Sequence, residues 1–256
     1  MSKHEQELRA AVHLRGTVRV GELAAMLGVS DQTVRRIVQP LVESGEVRKV
    51  HGAIVSQIGP ADPPFRARMA RQRREKAAIA QAVAGLVPDG AVVAIDTGST
   101  SGFVAQALAR RRALTVVTNS AMIAATLATV EGNRVFMAGT QLRDHDGAAF
   151  DRTAFDVIAG FSVDFAILSA SRVHPDHGFL VHDQGEVDIA AAMMRIADRA
   201  VMAVDSSKFT DQPRRPALRL PALAPGDIVV TDAPPPAAFA ALLAEQELVV
   251  APPERA

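Results

Sequence analysis

Residues 20–36 read Val20-Gly21-Glu22-Leu23-Ala24-Ala25-Met26-Leu27-Gly28-Val29-Ser30-Asp31-Gln32-Thr33-Val34-Arg35-Arg36, and their spacing predicts two short helices joined by a tight turn. Leu23, Ala24 and Leu27 share one face of the first helix, and Gly28 ends it where a left-handed residue is cheap. Ser30 can cap the second helix, whose first two turns carry Gln32, Thr33, Arg35 and Arg36. That is the pattern of a helix that sets its N-terminal turns against base edges and phosphates in a major groove. Two amphipathic helices about a glycine also occur in ordinary bundles, so the flanking residues matter. Glu46 to Val55 alternates apolar and polar residues around a turn, the mark of a two-stranded wing. On such a wing Arg48, Lys49 and His51 lie beside the backbone as phosphate contacts. The candidate DNA-contacting set is therefore Ser30, Gln32, Thr33, Arg35, Arg36, Arg48, Lys49 and His51.

A first helix reaching about Leu14, with Leu8, Ala11 and Val12 as its apolar stripe, completes an α+β winged helix-turn-helix over residues 1–56. Gln57 to Pro64 holds three prolines and a glycine in eight residues, which neither helix nor sheet tolerates, and reads as a linker. A chain of 256 residues then needs a second domain with its own core, assigned to residues 65–256. A long helix is expected from Phe65 to about Leu86; its basic residues 66–76 either track phosphates or form a solvated face. Beyond it, apolar runs at 91–95, 114–117, 135–138, 163–168, 200–204 and 228–230 alternate with helical stretches at 101–110, 120–130, 153–159, 187–197 and 236–245. The alternation predicts an α/β domain built on a largely parallel sheet.

Composition narrows the class. The chain has no cysteine, which removes disulfides and thiolate metal sites and fits a reducing cytoplasm. No long apolar run is present, so neither membrane insertion nor secretion is expected. Lys and Arg balance Asp and Glu at 28 each, so any nucleic-acid affinity must come from a local basic surface. His174, His177 and His182 sit in a Pro/Gly-containing loop and read as loop histidines; no metal and no cofactor is expected.

In a parallel sheet, ligands settle outside the carboxyl ends of the strands. Asp96, Thr97, Gly98, Ser99 and Thr100 follow the first strand directly and precede a helix. Gly98 permits close backbone approach, the hydroxyls donate, and the helix start offers unpaired N–H groups to an anion. A phosphate suits this corner better than a neutral sugar. Thr118, Asn119 and Ser120 repeat the arrangement after the second strand, and Asp205 to Phe209 repeat it after the fifth, where Lys208 adds a positive charge. Asp183 and Glu186 are placed to accept hydrogen bonds from sugar hydroxyls. Together these residues predict a pocket for a small phosphorylated sugar or polyol.

Several motifs in one order resemble the DeoR family of bacterial transcriptional regulators over nearly the whole chain. Glu22-Leu23-Ala24, Leu27-Gly28-Val29-Ser30, Thr33-Val34-Arg35-Arg36 and Val50-His51-Gly52 are similar to its helix-turn-helix and wing. Lys76-Ala77-Ala78-Ile79-Ala80, Asp96-Thr97-Gly98-Ser99-Thr100, Leu114 to Ser120 and Asp205-Ser206-Ser207-Lys208-Phe209 are similar to its effector domain. The resemblance implies a repressor of a sugar or polyol catabolic operon that binds double-stranded operator DNA as a homo-oligomer and is released by a phosphorylated effector. It also implies an effector domain related in fold to sugar-phosphate isomerases. Departures are visible. Ile37 stands where the family has an acid, Pro40 lies late in the reading helix, and only Gly52 follows the wing histidine. Thr140, Asp151 and Ala190 replace two glycines and a lysine, changes expected to reshape the pocket. Two other readings stay open at this level: an isomerase-like enzyme with an accessory DNA-binding domain, and a constitutive DNA binder with a vestigial pocket.

Overall fold

A computed structural model describes residues 3–15, 17–44, 46–50, 52–56, 65–211 and 218–252. Its contacts divide into two compact units, one before and one from Phe65; residues 57–64, read as a linker, and His51 lie outside the described residues.

In the first unit, α1 (Lys3–Arg15), β1 (Thr17–Arg19), α2 (Val20–Leu27) and α3 (Asp31–Glu43) precede the hairpin of β2 (Val47–Val50) and β3 (Ala53–Ser56). The strand β1, not foreseen from the pattern, pairs antiparallel with β3, giving sheet order β1-β3-β2. Leu8 and Val12 of α1, Leu23 and Leu27 of α2, and Val34, Val38 and Leu41 of α3 close one apolar core with Val47 and Ile54 of the wing. Gly28 takes the left-handed conformation (φ 64°) that ends α2. Pro40 neither ends nor splits α3, which runs on to Glu43; the bond forfeited is the one to the Arg36 carbonyl, close to the helix end. Ile37 is half-buried and packs against the core, so an apolar residue suits that position here.

In the second unit the expected long helix is two: α4 (Phe65–Ala70) and α5 (Arg73–Leu86). Gln72 breaks them apart in a left-handed conformation (φ 49°). Lys76 is the reason the break is stable. It is 3% exposed, and its ammonium donates to the Arg68 and Arg71 carbonyls at 2.7 and 3.0 Å, satisfying the end of α4. Lys76 therefore belongs neither to a solvated face nor to a phosphate track, whereas Arg66, Arg71, Arg73 and Arg74 are exposed.

The chain continues through β4 (Val92–Ile95), α6 (Ser99–Leu108), β5 (Thr115–Thr118), α7 (Ala121–Ala128), β6 (Arg134–Met137), α8 (Arg152–Ala159), β7 (Val163–Ser169), β8 (Arg172–His174), β9 (Gly178–Val181), α9 (Gln184–Arg195), β10 (Ala197–Ala203), β11 (Leu218–Arg219), β12 (Ile228–Thr231) and β13 (Glu247–Val250). Seven strands form one sheet in the order β13-β12-β10-β7-β4-β5-β6, and every pairing is parallel. Side chains alternate between its faces. Val93 and Ile95 enter one core with α5, α6 and α7, while Ala94 enters the other with α8 and α9; helices on both faces are what a parallel sheet requires. Residues 236–245, read as helix, hold only a short 3-10 turn at Ala237–Phe239, and β13 follows unforeseen. The small antiparallel sheet β11-β9-β8 was also not legible in the alternation.

The chain leaves β4 toward β5 and β6, then returns to add β7 on the other side of β4 and proceeds outward through β10. The direction of progression reverses between β4 and β7. The loops after those two strands diverge and leave a crevice at the carboxyl edge.

Candidate functional site

On α3, Gln32, Arg35, Arg36 and Gln39 are exposed at spacings that share a face, opposite the buried Val34, Val38 and Leu41. Ser30 caps the helix: its Oγ accepts the Thr33 amide at 3.2 Å and lies 3.0 Å from the Thr33 hydroxyl. These two hydroxyls therefore hold the first turn together, and the long polar side chains form the outward surface. Arg48 and Lys49 are exposed on β2. Lys49 donates to Gln39 Oε1 at 2.8 Å, and Gln39 donates to Glu43 at 3.0 Å, so the wing and the helix are tied into one basic and amide-rich surface.

In the second unit, a cleft with about 540 Å³ of free space, its open mouth included, occupies the reversal between β4 and β7. Asp96, Thr97, Ser99 and Thr100 line it from the β4 side, and Ser169, Ala170 and Ser171 from the β7 side. Lys208, Glu186 and Arg68 complete its polar lining.

Asp96 anchors this floor. Ser101 Oγ donates to one carboxylate oxygen, and the Ser169 amide and hydroxyl donate to the other at 2.8 and 3.3 Å. Burial pushes the carboxyl up to about 7, against the opposing pull of the Ser101 and Ser169 hydrogen bonds, because a charge is costly away from water. Gly98 is required by space rather than by conformation. Its backbone is extended (φ 165°), but a Cβ there would lie 2.3 Å from Ser169 Oγ. Ser99 and Thr100 open α6, a helix of ten residues whose first amides have no carbonyl above them, and Thr97 Oγ1 is buried with no hydrogen-bond partner among the described residues.

Lys208 reaches the cleft because the turn after β10 is held at both ends. Asp205 caps it by accepting the Ser207 amide at 3.2 Å, and Asp232 accepts the Ser206 amide and hydroxyl at 2.6 and 2.9 Å. The half-buried Lys208 has no ion-pair partner among the described residues. Arg68, supplied by α4, was not singled out from the sequence, nor were Ser169 and Phe150. An arginine within a run of arginines gives no sign that it alone meets a pocket.

Thr118, Asn119 and Ser120 lie elsewhere. All three are buried and outside the cleft lining: Thr118 Oγ1 accepts the Ser120 amide at 3.2 Å, and Asn119 exchanges bonds with the Ala149 backbone at 3.0 and 2.8 Å. They fasten the loop after β6. The physical reason is strand order, since β5 sits on the far side of β4 from the reversal. Asp183 is likewise outside the cleft. It caps α9 through the Gly185 amide at 2.8 Å, and half of its side chain is exposed.

Glu186 lines the cleft and pairs with Arg143 at 3.0 Å, a guanidinium that Asp183 also approaches at 3.5 Å, so its charge is only partly offset. Arg143 also pairs with Asp146 at 2.6 Å. Burial works against its charge, but the hydrogen bond and charge of Asp146, then of Glu186, more than offset this and keep it protonated. Two of the departures from the family pattern meet each other: Thr140 donates its amide and hydroxyl to Asp151 at 2.8 and 3.2 Å, while Asp151 caps α8. That pair organises a loop and does not line the cleft. His174 and His177 stack on one another, and among the described residues no group of three or more metal-ligating side chains forms.

A winged helix with an exposed basic reading surface, carried on the same chain as a parallel-sheet unit with a polar cleft at its switch point, defines a DNA-binding regulator with a sensor domain. Residues 5–57 match the DeoR-like helix-turn-helix domain, and residues 71–233 match the DeoR C terminal sensor domain. Over 237 residues the chain is 33% identical to the glycerol-3-phosphate regulon repressor of Escherichia coli (strain K12), covering 93% of each. Over 252 residues it is 30% identical to the HTH-type transcriptional repressor CsqR of the same organism, covering 98% of this chain and 95% of the relative. The chain belongs to the DeoR family of transcriptional repressors. Its likeness to ribose 5-phosphate isomerase A from Methanocaldococcus jannaschii is slight, at 19% identity and TM-score 0.40 over 54% of each chain, and bears on nothing further. Among the described residues no helix is long and apolar enough to cross a membrane.

Proposed function

We propose that the protein represses a sugar or polyol catabolic operon in the cytoplasm, binding operator DNA as a homo-oligomer and releasing it when the cleft captures a small phosphorylated sugar or polyol. The observation that carries this reading is the chemistry of the cleft: Lys208, Arg68 and the first turn of α6 offer positive charge and free amides, while Glu186 offers acceptors. An anionic group suits the first set and hydroxyls suit the second. The glycerol-3-phosphate regulon repressor, similar over most of its length, agrees with that chemistry. Linking several winged helices raises their occupancy of DNA through effective concentration, so a ligand that alters their geometry controls binding.

We assign no catalysis to the cleft. Asp96, poised near neutrality, has the affinity for protons of a general base, yet Ser101 and Ser169 occupy both of its oxygens. Glu186 is engaged by Arg143.

The deciding experiment pairs a mobility shift on the chain's own upstream DNA with a thermal-shift panel of sn-glycerol 3-phosphate, D-ribose 5-phosphate and D-glucose 6-phosphate. A ligand that binds only the folded state raises its melting temperature. DNA binding at low salt, stabilisation by at least one ester without turnover, and release of DNA by the same ester are expected. Absence of a shifted DNA band refutes the repressor reading; turnover of an ester refutes the non-catalytic one.

A further inference from the structure

Arg143 lies outside the cleft, yet it holds two of the side chains that line it. Its guanidinium carbon stands 4.3 Å from the centroid of the Phe150 ring, and it donates to Glu186 at 3.0 Å; Phe150 and Glu186 both line the cleft. Asp146 grips the guanidinium from behind through bonds of 3.1 and 2.6 Å. Phe150 in turn rests on the first turn of α9, where a Cβ on Gly185 would come within 2.8 Å of its ring. The loop after β6 and the start of α9 are thus interlocked, with Arg143 at the centre.

We propose that Arg143 is the positioning residue that sets the cleft's preference for the hydroxylated part of a phosphate ester, by fixing Glu186 as a hydrogen-bond acceptor and Phe150 as an apolar platform. The proposal rests on the phosphate-ester reading of the cleft. A lone carboxylate beside a bound phosphate repels it. Paired with Arg143, which it shares with Asp146 and Asp183, Glu186 keeps acceptor sites for hydroxyls while its charge is partly offset, and its rotamer is set before the ligand arrives. Inorganic phosphate has no carbon-bound hydroxyls for this wall to recognise, so the preference of an ester over inorganic phosphate isolates the role of Arg143. General charge effects act on both ligands alike.

Isothermal titration of the full chain with inorganic phosphate, sn-glycerol 3-phosphate and D-ribose 5-phosphate tests the proposal in wild type, Arg143→Gln, Glu186→Gln and the double variant. Wild type is expected to bind at least one ester more tightly than inorganic phosphate, and Arg143→Gln to reduce that preference by about tenfold. Because Arg143 acts largely through Glu186, the double variant is expected to fall within about twofold of Glu186→Gln alone. Should Arg143→Gln not fold, Arg143→Lys serves in its place: a point charge cannot span both Glu186 and Asp146, so part of the preference is lost while inorganic phosphate binds within about twofold of wild type. An unchanged preference in the Arg143 variants, or fully additive losses in the double variant, overturns the proposal. So does a wild type that binds phosphate but favours no ester, with the anion site left standing; a wild type that binds no anion overturns the underlying reading as well.

Discussion

Gly98→Ala probes how the cleft floor is packed. A Cβ on residue 98 would lie 2.3 Å from Ser169 Oγ and 3.4 Å from Ser169 Cβ. Since the backbone at Gly98 is extended, the obstacle is the serine hydroxyl alone. The methyl group forces that hydroxyl away from Asp96, to which it donates at 3.3 Å, while the Ser169 amide keeps its own 2.8 Å bond. One weakened hydrogen bond to a carboxylate, with some rotamer strain, amounts to about 1–3 kcal/mol. For a domain of this size the Tm falls by about 3–10 °C. Ser169→Ala removes the obstructing oxygen and leaves a Cβ at ordinary contact distance, so adding Gly98→Ala to it is expected to cost less than about 0.5 kcal/mol. Urea unfolding of wild type, both single variants and the double variant at pH 8 closes the cycle. Equal destabilisation by Gly98→Ala in both backgrounds refutes the packing argument.

On the DNA side, Arg36→Ala is expected to weaken binding to the upstream DNA by about tenfold and to lower the salt slope by about one if the guanidinium meets a phosphate; a mobility-shift series in salt reads both. Lys208→Met should reduce the affinity of the cleft for sn-glycerol 3-phosphate or D-ribose 5-phosphate by at least about tenfold, and titration calorimetry showing an unchanged affinity would remove Lys208 from the site. Asp96 binds its proton more tightly when folded, at about 7 against 3.8 for the unreacted carboxyl, so between those values the native state holds the extra proton and stability declines as pH rises through the window. The loss is complete above about pH 7 and is at most roughly 4 kcal/mol. Urea unfolding of wild type and Asp96→Asn at pH 5 and pH 8 checks this: wild type should lose stability relative to the variant, and parallel behaviour counts against it. Lys76→Met takes the ammonium from the Arg71 carbonyl and leaves the Arg68 carbonyl only its bond from the Arg71 amide, for an expected loss of about 1–3 kcal/mol by thermal melting, and an unchanged Tm argues against the capping role.

The winged helix was legible because its determinants are local. Gly28 and Ser30 act on their own turns, and the helical spacing of Leu23, Ala24 and Leu27 needs no distant partner to be recognised. Lys76 was not legible in the same way, since an ammonium in a basic run reads as surface until the break at Gln72 turns two carbonyls toward it. Residues 236–245 misled because a run of alanines and leucines has helix propensity whatever its context, while the structure gives it only a short turn before β13.

Periodicity and turn chemistry in the chain by themselves determined that a DNA-reading module precedes a parallel α/β unit, and that the strands of this unit end in hydroxyls, amides and carboxylates. Which of those ends share a crevice was decided only by tertiary structure. Asp96 and Ser169 meet although 73 positions separate them, because β7 returns to pair with β4 while β5 lies on the opposite side, and Arg143 meets Glu186 across 43 where the loop after β6 reaches the start of α9. Local spacing encodes each strand and each cap, but strand order is a property of how the whole sheet buries its two faces, and it is strand order that brings Lys208 to the cleft and keeps Thr118, Asn119 and Ser120 out of it.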